Sequence, residues 1–189
     1  MRLFVAVPVE DALAASLQQA CQALKKNGLS AVRWLPRENW HLTAFFLGDG
    51  FSREQAQVIA DRLAKGLPEL SAFEAPLETI DWFPAAERPA VLAGLFGRNL
   101  MLQALHDEVY QALKELDGVK KPKNRFAPHI SLARPNAKKI DLEKVGDPPL
   151  PMTLEDAWLS VDHVELWRSV HGPDGVHYEC LGRGDLAPG

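Results

Sequence analysis

The chain has 189 residues, 47% of them hydrophobic and 24% charged, with a formal net charge of −4. That balance belongs to an ordered globular protein and argues against disorder. With no basic excess, a nucleic-acid partner would have to be met locally, in a cleft or at a strand end, and not along a duplex.

"RLFVAVPV" (residues 2–9) reads as a strand rich in Val and Phe. Its apolar run ends at Glu10 and Asp11, too short for a signal-peptide core or a spanning helix, so a cytoplasmic location is the default expectation. "EDALAASLQQACQALKKNG" reads as a helix, with Leu13, Leu17, Cys21 and Leu24 at helical spacing, acids leading, lysines closing and Gly28 stopping it. Residues 40–47 form a short apolar strand. "SREQAQVIADRLAKG" is a second helix, opened by a Ser52/Gln55 capping-box pattern. Residues 71–82 and "PAVLAGL" suggest strands, and "NLMLQALHDEVYQALKELDG" a third helix. After the basic run "KKPKNR" comes a second short apolar strand, "FAPHISLARP". Residues 136–153, rich in Lys, Asp and Pro, read as a connector. "AWLSVDHVELWRS" and "GVHYECLGRGDL" read as strands joined through the turn-rich "VHGPDG". The pattern is α+β with antiparallel pairing. The two cysteines, Cys21 and Cys180, lack CxxC or metal-type spacing, so reduced thiols are expected.

Shifting the chain by 88 residues overlays its first part on its middle. Leu3, Val5 and Val7 fall on Val91, Ala93 and Leu95. Leu13, Leu17 and Cys21 fall on Met101, Leu105 and Val109, and His41 and Thr43 on His129 and Ser131. This joint register predicts one domain, residues 1–189, made of two related lobes that each end in a histidine-bearing strand.

In a strand, residues i and i+2 share a face. His41 therefore projects with Thr43, and His129 with Ser131, while Leu42, Ala44, Phe46, Ile130 and Leu132 supply apolar backs. A lone histidine in such a run is usually a satisfied structural residue. Two copies of His-x-(Ser/Thr) at matching places of a repeat point elsewhere. Imidazole titrates near neutral pH, so one of two histidines can act as general base and the other as general acid. The hydroxyls can donate to an oxyanion. Together these suit phosphoryl transfer at a cyclic ester and require no metal. Metal binding would want a third ligand, and neither strand carries Asp, Glu or Cys.

These motifs carry a resemblance. "RWLPRENWHLTAFFLG" and "RFAPHISLAR", with "VELWRS" and "YECLG", resemble the two-histidine (2H) phosphoesterases over residues 1 to about 183, and most resemble the RNA 2′,3′-cyclic phosphodiesterases, also called 2′-5′ RNA ligases or LigT-like proteins. The resemblance implies a bilobal, pseudo-twofold α+β fold, with two antiparallel sheets flanked by helices around a central cleft. It implies hydrolysis of RNA 2′,3′-cyclic phosphate ends to 2′-phosphates, with His41 as acid, His129 as base, and Thr43, Ser131 and Arg134 holding phosphate. It implies no cofactor and no metal; the partners are RNA 3′ ends or nucleoside 2′,3′-cyclic phosphates, with no membrane, and a monomer is expected. The chain departs from the family in Ala44, where Leu is common after the threonine, and in Ser131, where Thr is common. Two alternatives stay open: a 2′-5′ ligase joining tRNA halves with the same histidines, and a non-catalytic binder of nucleotides or RNA ends.

Phe45 shares the parity of His41 and Thr43, so it either faces the cleft and stacks on a base or, after a twist or bulge, packs in the core. Strict alternation puts Arg134 on the face opposite His129, so its phosphate role requires a bulge or the end of the strand. Lys120–Arg125 is either solvated surface or an attractor for an RNA tail. Trp167 and Arg168 are candidates for the cleft lining; Trp34, Trp82 and Trp158 suit core or rim. His106, His163, His171 and His177 receive no role.

Overall fold

The opening apolar run becomes strand β1 (Leu3–Pro8) of the computed structural model, which describes residues 1–29, 32–85, 90–136, 152–173 and 175–189. Leu3, Val5 and Val7 enter the main core, while Phe4 and Ala6 point to the other side, where they cluster with Trp167. Helix α1 (Asp11–Lys26) buries Leu13, Ala14, Leu17, Ala20, Cys21 and Leu24, one apolar stripe of a 3.6-residue period. A three-residue strand β2 (Val32–Trp34) and a single 3-10 turn (Arg37–Asn39) then lead into β3 (His41–Gly48). Both are too short to leave a period in the sequence.

Helix α2 (Arg53–Leu63) starts with the expected capping box. Ser52 Oγ accepts from Gln55 N at 3.1 Å, and Gln55 Oε1 accepts from Ser52 N at 2.9 Å. Such a cap contributes about 1 kcal/mol. The region expected as one strand over residues 71–82 is instead β4 (Leu67–Ser71), β5 (Phe73–Pro76) and β6 (Thr79–Phe83). It breaks because β5 leaves the main sheet for another partner. Next come β7 (Val91–Leu95), α3 (Leu100–Leu113) and β8 (His129–Pro135). Of the expected connector, residues 137–151 lie outside the described residues, as does Asp174 of the last turn; Met152–Thr153 forms the short β9. The expected strand through "AWLSVDHVELWRS" divides at Asp162 into β10 (Trp158–Val161) and β11 (His163–Gly172), and β12 (Gly175–Ala187) closes the fold.

The α+β class and the antiparallel pairing are as read from the sequence. The sheets divide differently. One ten-stranded sheet runs β4-β12-β11-β1-β3-β8-β7-β6-β9, with β2 added on β8, and a two-stranded ribbon joins β10 to β5. The two histidine strands cause this fusion. β3 and β8 are antiparallel neighbours through the pair Leu42–Ile130, so the half around β1 and the half around β7 become one sheet. Only the β12–β4 pairing is parallel among those described.

The internal repeat is visible in the registers, with one slip. Ala6 pairs with Thr43 and Val7 with Leu42; likewise Ala93 pairs with Ser131 and Gly94 with Ile130. The leading strands thus correspond at 87 residues and the histidine strands at 88, because one extra residue separates Ala93 from the buried Leu105 relative to Ala6 and Leu17. Leu17 and Leu105, and Cys21 and Val109, are buried equivalents. Met101, matched to Leu13 in the sequence, is 41% exposed, and Leu102 fills that role. Helix α2 packs closely on β12: a Cβ at Gly184 would lie 2.3 Å from Leu63 O, so only glycine fits there. No helix among the described residues is long and apolar enough to cross a membrane.

Candidate active site

Each histidine opens its strand and is fixed from behind by the chain just before it. His41 Nδ1 lies 2.8 Å from Asn39 O, and His129 Nδ1 lies 2.9 Å from Ala127 O. A carbonyl can only accept, so Nδ1 carries the proton in both rings. Each Nε2 is then the reactive nitrogen. That of His41 sits 3.2 Å from Thr43 Oγ1. Extending the Leu42–Ile130 register by one residue each way sets His41 opposite Ser131 and Thr43 opposite His129. The four side chains therefore project from the same face of the two strands into one cleft.

The burial patterns show how the strands stay amphipathic. Both read half-buried, buried, half-buried, buried, buried, exposed over their first six residues. The two consecutive buried positions are Ala44–Phe45 and Leu132–Ala133. In each case the register to the neighbouring strand shifts there, between Val5 and Ala6 on β1 and between Leu92 and Ala93 on β7. A bulge inserts one residue and flips the parity beyond it. Phe45 is consequently not in the cleft. It is 2% exposed and packs on His106 and Tyr110, with centroids at 5.4 and 5.8 Å. Phe46, assigned to the back by alternation, is 51% exposed and lines the cleft, with the Arg2 guanidinium 5.0 Å above its ring. The same bulge on β8 turns Arg134 to the side of His129 and Ser131. Phe46 and Arg134 stand 88 residues apart, so the repeat itself could have exposed Phe46. His106 takes a structural part: its Nδ1–H donates to Ala44 O, at the bulge, over 2.7 Å.

The cleft has a volume of about 330 Å³. Its walls bring together His41, Thr43, His129, Ser131 and Arg134, all anticipated, with Arg2, Asn39, Phe46, Ser169, His171 and Tyr178, which the sequence did not single out. Among the described residues no Asp or Glu lines it. That is unusual in a chain of net charge −4, and it suits an anion. A cavity of about 370 Å³ elsewhere, lined by Glu10, Glu74 and Asp162, has the opposite character. Of the candidates from the C-terminal strands, Trp167 packs against His41, with centroids 5.1 Å apart. Arg168 does not enter the cleft; it alternates along β11 with Trp167 and Ser169 and so points to the other side, where it pairs with Glu179 at 2.6 Å. His163 is held by Asp162 and Glu165, and His177 lies 3.8 Å from Glu179. Among the described residues no three His, Cys, Asp or Glu are arranged to hold a metal ion.

The two imidazoles sit in unequal surroundings. Phe4 stacks on His41 at 5.0 Å, and Trp167 and Tyr178 close in at 5.1 Å each. His129 is stacked on Phe83 alone of the described rings, at 4.2 Å. Burial pushes the His41 pKa down from 6.5 to about 4; the bond to Asn39 O opposes this and the charge on His129 adds to it. Burial also lowers His129, against its bond to Ala127 O and with help from Arg134. With the cleft empty, both rings are therefore neutral at pH 7.

Asn39 links this site to the β11–β12 hairpin. It is the buried polar residue of the described chain, 8% exposed. Its carbonyl holds His41, and its side-chain Nδ2–H donates to Val176 O at 2.8 Å. The hairpin supplies Ser169, His171, Val176 and Tyr178 to the cleft wall.

Residues 9–173 match the model of the 2′-5′ RNA ligase superfamily. The chain is 26% identical over 194 residues to an RNA 2′,3′-cyclic phosphodiesterase of Thermotoga maritima, covering 98% of each chain. It is 30% identical over 145 residues to one of Archaeoglobus fulgidus, covering 77% of this chain and 78% of that one. It shares its fold with E. coli LigT in apo form, with a TM-score of 0.75 at 20% identity over 98% of this chain and 97% of that one.

Proposed function

Since the chain belongs to the 2′-5′ RNA ligase superfamily, we propose that it is an RNA 2′,3′-cyclic phosphodiesterase that converts a cyclic phosphate end to a 2′-phosphate by general acid–base catalysis. The observation that carries this reading is the pair of imidazoles held in one tautomer, sharing with Thr43 and Ser131 a cleft that no carboxylate lines among the described residues. The names of the relatives from T. maritima and A. fulgidus agree with it.

In this mechanism the cyclic phosphate binds between β3 and β8, with its non-bridging oxygens accepting from Thr43, Ser131 and Arg134. His129 Nε2 takes a proton from water as that water attacks phosphorus. The bond from phosphorus to the 3′ oxygen breaks, and His41 Nε2–H protonates the leaving oxygen. The histidines finish with their protons exchanged, so solvent must restore them before the next turnover. His41 needs a proton that the empty cleft withholds; the arriving phosphate anion, which favours imidazolium, supplies the attraction that restores it. Phe46, in the place that strand alternation assigns to Phe45, offers the ring for base stacking.

The test is a product assay on an RNA oligomer bearing a 2′,3′-cyclic phosphate, with and without chelator. A 2′-phosphate product in both conditions, lost by about 10²–10⁴-fold in His41→Ala and in His129→Ala, is the expected result. A 3′-phosphate product, dependence on metal, or binding without turnover across a pH series would each overturn it. Ligation would use the same groups with an RNA 5′-hydroxyl replacing water. Supplying a second RNA in the same assay measures that branch, which water should outcompete.

A further inference from the structure

Beside the catalytic cleft lies a second groove of about 490 Å³, lined by Arg98, Asn99, Leu100, Gln103, Arg125 and Phe126, and floored by Ala127 and Pro128. The linings of the two cavities are consecutive in sequence. Ala127 and Pro128 belong to the groove, and the next residue, His129, belongs to the cleft. Arg125 precedes His129 by four residues, so it lies within at most about 14 Å along an extended chain. The groove thus sits at the end of the sheet where β7 runs out and β8 begins.

Its charge differs from that of the protein. The chain carries a net −4, yet residues 118–136 contain Lys120, Lys121, Lys123, Arg125 and Arg134 and no Asp or Glu. Arg98, Lys120, Lys121, Lys123 and Arg125 are exposed, and among the described residues none pairs with a carboxylate. The first turn of α3, which borders the groove, holds no acid. Gly97 also lines the groove, and the exposed carboxylate of Glu78 lies beside it at the edge, though Glu78 itself is not among the lining residues. Exposed guanidiniums with no acid partner among the described residues, beside the partly buried ring of Phe126 and the 84% exposed Leu100, form a surface that a flexible polyanion with flat bases would cover.

We propose that this groove binds the phosphodiester backbone of a single RNA strand just upstream of the reacting 3′ end, with Arg98 and Arg125 as its phosphate contacts. This rests on the cyclic phosphodiesterase reading and adds a substrate class to it: oligomeric RNA ends are preferred over mononucleosides. A mononucleoside 2′,3′-cyclic phosphate fills the cleft alone. An oligomer leaves the cleft over Ala127 and Pro128 and gains the two arginines. Neither arginine touches the reacting atoms, so the groove contributes to capture and not to chemistry.

The experiment compares wild type with the Arg98→Ala/Arg125→Ala double variant on a single-stranded RNA tetramer and on a mononucleoside, both ending in 2′,3′-cyclic phosphate. We expect KM for the tetramer to rise roughly tenfold, and the slope of log kcat/KM against log salt to weaken by about 1.4, for two lost single-strand phosphate contacts. The mononucleoside should be turned over unchanged. Equal tetramer kinetics in the two proteins, or parallel losses on both substrates, would refute the groove. If wild type turns over neither substrate, the phosphodiesterase reading fails separately; fluorescence anisotropy with a labelled, 2′-phosphate-ended tetramer then decides the groove. Weaker binding by the double variant supports it, and equal binding refutes it. Lys121→Glu/Lys123→Glu provides a second variant on the flanking run, with the same direction expected.

Discussion

The low pKa of His41 makes a thermodynamic prediction that needs no substrate. In the folded, empty protein the ring holds its proton only below about 4, against an ordinary value of 6.5. At pH 7 about one ring in a thousand is charged, from the 3-unit gap. The unfolded chain binds this proton first, so stability falls as pH drops through 6.5 and levels off below about 4. Integrating proton uptake between pH 8 and 5 gives about 2 kcal/mol lost through this one ring. His129 is lowered too and acts in the same direction. The assay is urea unfolding of wild type and His41→Gln at both pH values. Wild type should lose about 2 kcal/mol more than the variant, which has no ring to protonate. Proton NMR of the His41 ring should show no titration between pH 8 and 5.5 in the empty protein, and an upward shift when phosphate or a nucleotide 2′-phosphate binds. Identical pH dependence in the two proteins, or a His41 midpoint near 6.5 without ligand, would show that the aromatic box of Phe4, Trp167 and Tyr178 does not desolvate the ring as described.

Three further outcomes follow from the same geometry. Because the active form of the free enzyme carries one proton on two depressed histidines, kcat/KM should peak on the acid side of pH 6.5. The kcat optimum, which reports the phosphate-bound form, should lie higher, and coincident optima would argue against recharging by the substrate. Phe45→Ala should destabilise the fold by about 3–5 kcal/mol in denaturant titrations, whereas Phe46→Ala should leave stability nearly unchanged and weaken substrate capture by about 1–3 kcal/mol, read in KM. Asn39→Ala leaves Val176 O without its donor, a loss of about 1–3 kcal/mol. It should lower kcat while the variant still unfolds cooperatively, and a loss confined to stability would reduce Asn39 to a hairpin anchor.

The residues of the two motifs were legible because a strand's period is local. The alternation of His41, Leu42 and Thr43, and of His129, Ile130 and Ser131, assigns front and back without knowledge of any partner strand. The helices α1, α2 and α3, the Ser52 cap and the approximate repeat were legible for the same reason. That local period stops at the bulges. The extra residue at Ala44–Phe45 is set by the pairing with β1, and the one at Leu132–Ala133 by the pairing with β7. Alternation therefore chose Phe45 over Phe46 and placed Arg134 on the wrong side. The division of residues 71–82 among three strands was hidden likewise, since β5 pairs with β10, more than eighty residues away in sequence.

The sequence by itself determined the α+β class, the two histidine strands and the chemistry that an imidazole with a neighbouring hydroxyl can perform. The tertiary structure decided everything that depends on which strand lies beside which. It fused the two halves at Leu42–Ile130, aimed Phe46 and Arg134 into the cleft, and brought Arg2, Ser169, His171 and Tyr178 there from the ends of the chain. It also enclosed His41 in aromatic rings that lower its pKa. Register and burial arise from long-range pairing, and no periodicity within one strand encodes them.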